Sequence, residues 1–86
     1  MRNVPDQIER ARALLERGNE GRALRVLSGT VYATHDPELL AQIERVARDG
    51  RRQAPPQHKP GWRNVELDCE VRRAYAHADE AAAAPR

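Results

Sequence analysis

Apolar residues recur at helical intervals along most of the chain, and short clusters of capping and turn residues cut that pattern into four segments. In the first, Ile8, Ala11, Leu14, Leu15 and Gly18 follow the three-and-four spacing of one buried stripe. Asn3 precedes it as a candidate N-cap, Pro5 sits in a first turn where its missing N–H costs nothing, and Asp6 complements the positive end of the helix dipole. The spacing predicts a helix over about 5–17. Gly18 suits the left-handed position after a helix and Asn19 can start the next, so two helices joined this tightly must fold back on each other. The second, about 20–33, carries Ala23, Leu24, Leu27 and Val31, with Val26, Thr30 and Ala33 widening the stripe. Gly21 and Gly29 weaken it by about 1 kcal/mol each relative to Ala, and their compensating use is to let another helix come close.

Asp36-Pro37-Glu38 is the sharpest local signal: Asp caps, Pro fits the first helical position and Glu faces the dipole. It predicts a third helix over about 37–49, with Leu39, Leu40, Ile43, Val46 and Ala47 inward and Gly50 closing it. Residues 51–63, RRQAPPQHKPGWR, hold three Pro, one Gly and one large apolar side chain, Trp62. They read as an extended loop or linker that Trp62 alone can pin down. Asn64 then caps a fourth helix over about 65–82, whose Leu67, Val71, Ala74, Tyr75 and Ala78 form one stripe, before a tail 81–86 expected to fray. The expected fold class is all-α: a three-helix scaffold in 1–50, a basic Pro-rich loop in 51–63, and a C-terminal helix with its tail in 64–86.

The segment ARALLERGNEGRALRVLSGTVYATHDPELL places Gly18 at the end of one helix, Ala23 early in the next, Leu27 four residues on, and Pro37 after it. Over residues 8–40 it resembles a single helical hairpin of the tetratricopeptide-repeat family. The resemblance implies a helical surface for binding a partner, not catalysis.

Composition narrows the class. The core must come from seven Leu, six Val and two Ile in 86 residues, with no Phe, and one cysteine cannot form an internal disulfide. So thin a core points to extra burial against a partner or a second copy. No apolar run approaches the length of a membrane span and the first residues lack a secretory pattern, so a cytoplasmic protein is expected. Fourteen Arg against one Lys, with fourteen Ala, is the usage of GC-rich coding, as in a bacterium or a phage.

Charge adds a location. Residues 1–50 are neutral, 51–63 carry +4 and 64–86 carry −2, so the mild basicity is one segment rather than a face. Arg51, Arg52, Lys59 and Arg63, with Trp62 to stack on a base, could track phosphates; an acidic partner or the chain's own acidic fourth helix could take the same residues. The third helix opens on Glu38 and its outward residues are of mixed sign, which is unlike a DNA-reading helix.

Candidate chemistry is sparse. His35, His58 and His77 lie in three segments at no ligand spacing from one another or from Cys69, so no metal is expected. Cys69 and His77, eight residues apart on one helix, are about 12 Å apart along its axis, beyond hydrogen-bond reach. The carboxylates read as surface, paired with Arg at helical spacing as in Glu44 and Arg48. Neither a phosphate loop nor a nucleophile turn is present. The sequence therefore predicts a non-enzymatic module, without cofactor, that binds a protein partner or itself through Trp62, Leu67, Val71 and Tyr75. The competing expectation is a small nucleic-acid-associated regulator acting through Arg51, Arg52, Lys59 and Arg63.

Overall fold

The computed structural model describes residues 3–83, and side chains through residue 76; the expected fraying of the tail, Ala78 of the fourth stripe and the side chain of His77 lie outside what is described. Among the described residues the chain is all-helical. Helices α1 (Val4–Glu16) and α2 (Glu20–Thr30) are followed by a 3-10 turn (Val31–Ala33), α3 (Pro37–Gln53) and α4 (Lys59–Ala83).

Local chemistry accounts for the start and stop of α1 and the start of α3, whereas Asn19 precedes α2 without the side-chain capping bond expected of it. Asn3 caps α1, its side-chain oxygen accepting from the Asp6 N–H at 2.9 Å. Gly18, at φ +77°, ends that helix: the Gly18 N–H donates to the Leu15 carbonyl at 2.9 Å and the Asn19 N–H to the Leu14 carbonyl at 2.8 Å. That paired bonding is the Schellman arrangement, which satisfies carbonyls the helix leaves open and turns the chain back sharply. Asp36 caps α3 by accepting from the Glu38 N–H at 2.9 Å, and the Thr34 hydroxyl accepts from the Asp36 N–H at 3.1 Å. Ile8, Ala11, Leu15, Ala23, Leu27, Val31, Leu40, Ile43, Val46 and Ala47 form the buried core shared by α1, α2 and α3.

The second half departs from the sequence expectation in three ways. Helix α3 does not stop at Gly50 but runs to Gln53, and α4 starts at Lys59 rather than after Asn64, so the 51–63 loop shrinks to residues 54–58. Two of its prolines, Pro55 and Pro56, occupy that connection, and Pro60 lies in the first turn of α4, where a helix has no use for its N–H. Asn64 is an exposed residue within α4. Gly50 is in mid-helix because the Trp62 ring rests on it: a Cβ built there would lie 2.5 Å from the Cη2 and Cζ2 atoms of the indole. By contrast, the close helix approach expected at Gly21 and Gly29 is not made, for a Cβ at either would meet open space.

Candidate functional site

Helix α4 has two faces with different fates. Trp62, Val65, Glu66 and Cys69, spaced three, four and seven residues from the first, are buried against the rest of the molecule. Leu67, Val71 and Tyr75, at four-residue steps, point the other way and are 40, 51 and 69% exposed. The sequence groups Trp62 with these three as a contact surface; the structure separates it from them, since Trp62 is fully buried and belongs to the core. The stripe chosen by apolar content is the outward one. The inward face is harder to see because it contains a glutamate and a cysteine.

Each oddity on the inward face has its partner. The Trp62 Nε1–H donates to Oε2 of Glu20 at 2.8 Å, and Nδ1 of His58 lies 2.5 Å from Oε1 of the same carboxylate. One residue at the start of α2 thus ties down the end of the connection and the first turn of α4. Burial pushes the Glu20 carboxyl up, but the hydrogen bonds from Trp62 and His58 outweigh it, and its pKa ends below the ordinary 4.5. Glu44 and Glu66 are buried at 3 and 1% exposure, contrary to the surface role expected of every carboxylate. Arg48 reaches both, at 2.8 Å to Glu44 and 3.8 Å to Glu66; Arg51 and Arg63 approach Glu66 at 3.2 and 3.5 Å, and Arg73 pairs with Glu44. The guanidiniums lie at the rim, partly exposed, with the carboxylates beneath them between α3 and α4. Burial, aided by the charge of Glu44, pushes the Cys69 thiol up to about 12, so it is an inert packing residue at neutral pH.

The four cations of 51–63 are accordingly engaged within the chain. Beyond the Arg51 and Arg63 pairs with Glu66, Arg52 lies 3.5 Å from Asp49 and Lys59 Nζ donates to the Arg51 carbonyl at 2.7 Å.

On the outward face the sequence misses three contributors. Tyr32, in the turn after α2, is 63% exposed and donates its hydroxyl to Asp68 at 2.8 Å. The Arg72 guanidinium stands over the Tyr32 ring, 5.6 Å from its centre, and also donates to the Thr34 carbonyl at 3.1 Å. The bond to Asp68 and that carboxylate's charge raise the Tyr32 phenol above its usual 10. Tyr32 and Asp68 are 36 residues apart, so no local pattern could join them. Beside them a shallow groove of about 530 Å³ runs between α2 and α4, lined by Leu24, Ser28, Gly61 and Val65 and opening onto Leu67.

Among the described residues no three His, Cys, Asp or Glu side chains gather as metal ligands, and no helix is long and apolar enough to cross a membrane. Among the described residues the protein is all-α, with an exposed aliphatic and aromatic row on α4. No family model, curated protein or solved structure matches the chain.

Proposed function

We propose that this is a non-enzymatic protein-interaction module, an adaptor or regulator of the cytoplasm, whose working surface is the outward face of α4 together with Tyr32. The observation that carries the reading is the contrast on one helix: Trp62 is consumed by the core, whereas Leu67, Val71 and Tyr75 remain exposed in a row. Exposed apolar residues scattered singly are ordinary; a contiguous row flanked by charged groups is the form an interface takes. Tyr32, Asp68 and Arg72 support the same reading, because a tyrosine held by a carboxylate and covered by a guanidinium is already ordered before any partner arrives. The hairpin of α1 and α2, with its likeness to a tetratricopeptide unit, fits a binding role as well.

Contact with nucleic acid through Arg51, Arg52, Lys59 and Arg63 is the weaker reading, since each of those cations has a partner within the chain. Leu67→Asp and Tyr75→Asp are expected to abolish partner capture and self-association while leaving the helical content intact. Unchanged capture and unchanged mass in both folded variants would show that α4 is not the interface.

A further inference from the structure

We propose that the groove between α2 and the connection leading into α4 binds a small phosphate monoester, held by Arg22, Arg25, Ser28 and His58. It is an open cleft of about 650 Å³, walled by those four residues with Gly21 and Leu24, and within the size range of small-molecule sites. The proposal does not depend on what covers the outward face of α4.

Charge is the first observation. Arg22, Arg25 and Ser28 recur at three-residue steps, so their side chains are neighbours along one flank of α2. Both arginines are exposed, and among the described residues neither lies at ion-pair distance from a carboxylate. The cations of 51–63, by contrast, are all taken up within the chain. No carboxylate walls the cleft either, whereas the groove beside α1 holds Glu16 and Asp49 and the one beside Leu67 holds Asp68. Two uncompensated guanidiniums match the charge of a phosphate monoester, about −1.5 to −2 at neutral pH, and each can grip it with two parallel N–H bonds.

His58 is the second. Its Nδ1 lies 2.5 Å from Oε1 of Glu20, and a carboxylate only accepts, so Nδ1 carries a proton and Nε2 is the nitrogen left for a ligand. The other oxygen of Glu20 takes the Trp62 Nε1–H. That carboxylate is thus committed to holding the ring and the indole.

Gly21 is the third. A Cβ built there meets nothing within 4 Å, so no packing contact calls for a glycine that weakens the helix. Its bare backbone instead keeps the cleft open beside the two arginines. Leu24, half-buried, adds an apolar strip for the organic body of an ester, and the cleft has far more room than a phosphate group alone takes. A nucleic acid, with its phosphates in series, needs a longer basic track than two arginines on one turn of helix.

The test titrates the full chain with phenyl phosphate at constant ionic strength and follows the amide resonances of residues 21–28 by NMR. Saturable shifts in the millimolar range are expected. Benzoate, which lacks the second charge, and inorganic phosphate, which lacks the apolar body, should each bind at least about tenfold more weakly. Arg22→Gln and Arg25→Gln break no ion pair among the described residues, and each should weaken binding at least about tenfold with the fold intact. Gly21→Leu keeps every charge but fills the cleft, so it should abolish the shifts without lowering the thermal midpoint. Retained binding in Gly21→Leu, unchanged affinity in either glutamine variant, or benzoate as tight as phenyl phosphate would each overturn the site. Inorganic phosphate as tight as phenyl phosphate would overturn the ester. A single-stranded oligonucleotide that binds more tightly than phenyl phosphate, and loses affinity in both glutamine variants, would overturn the small ligand in favour of nucleic acid.

Discussion

The two helical hairpins of this molecule are held together by different physics. The α1–α2 hairpin is closed by a glycine turn and packed by small aliphatic side chains, Ile8, Ala11, Leu15, Ala23 and Leu27. The α3–α4 hairpin has one large ring seated on a glycine, and beside it two buried carboxylates under a canopy of arginines. The first interface is non-directional and forgiving of small changes in shape. The second depends on particular partners: a buried charge with its counterions is tolerable, and the same charge without them is costly. A chain short of large aliphatics has thus completed its interior with charge pairs along one hairpin.

Breaking the second hairpin should therefore cost more than breaking the first. Trp62→Ala removes the largest buried side chain and leaves Oε2 of Glu20 without its donor; a loss of about 3–5 kcal/mol is expected, enough to release α4, measured as a drop in the denaturation midpoint. Glu66→Ala leaves Arg51 and Arg63 without their carboxylate at a partly exposed rim and should cost about 2 kcal/mol, whereas Glu66→Gln, which keeps the shape and an acceptor but not the charge, should cost less; equal losses would mean that charge and not packing matters at this site. Gly50→Ala drives a methyl into the indole and should cost about 1–3 kcal/mol, and Gly50→Ala combined with Trp62→Leu should cost less than the two single changes added together. In the first hairpin Gly18→Ala forces a side chain into left-handed backbone and should cost only about 1 kcal/mol.

Acid sharpens the same contrast. The Glu20 pKa is lowered on folding, so the stability it contributes is present above 4.5 and is lost as pH falls through its depressed folded value. Denaturation midpoints of wild type should fall over that range more steeply than those of Glu20→Gln. Identical slopes would remove Glu20 from the account. The smallest effect is a silent one: Cys69 should resist alkylation in the native protein at pH 8 and react only on unfolding.

What the sequence disclosed follows the same divide. The first hairpin and the start of α3 were legible almost to the residue, because Asn3, Gly18 and Asp36 act on backbone groups within a few positions of themselves. The second was not, because its determinants act at a distance. Gly50 looks like a helix end until the ring twelve residues later is known to rest on it, and Glu66 looks like surface until Arg48 and Arg51 are brought over it from the preceding helix. Three prolines made residues 51–63 resemble a loop, although a proline in a helix's first turn is no obstacle. On the candidate surface, Leu67, Val71 and Tyr75 were visible as a stripe. Tyr32 was not, since only the fold brings it to Asp68.

The arginines over Glu44 and Glu66 have one more consequence. A guanidinium keeps its charge at any pH the protein survives and offers several donors in a plane, so one Arg48 can serve two carboxylates on different helices. Lysine in its place would present a single ammonium on a mobile stem, and would expose the joint to acetylation. The one lysine in the chain, Lys59, bonds the Arg51 carbonyl across the last two helices, but the buried carboxylates Glu44 and Glu66 are paired by arginines alone, which lysine-modifying enzymes do not touch. The arginine-rich usage that first suggests only nucleotide bias thus keeps the pairing of Glu44 and Glu66 independent of lysine chemistry.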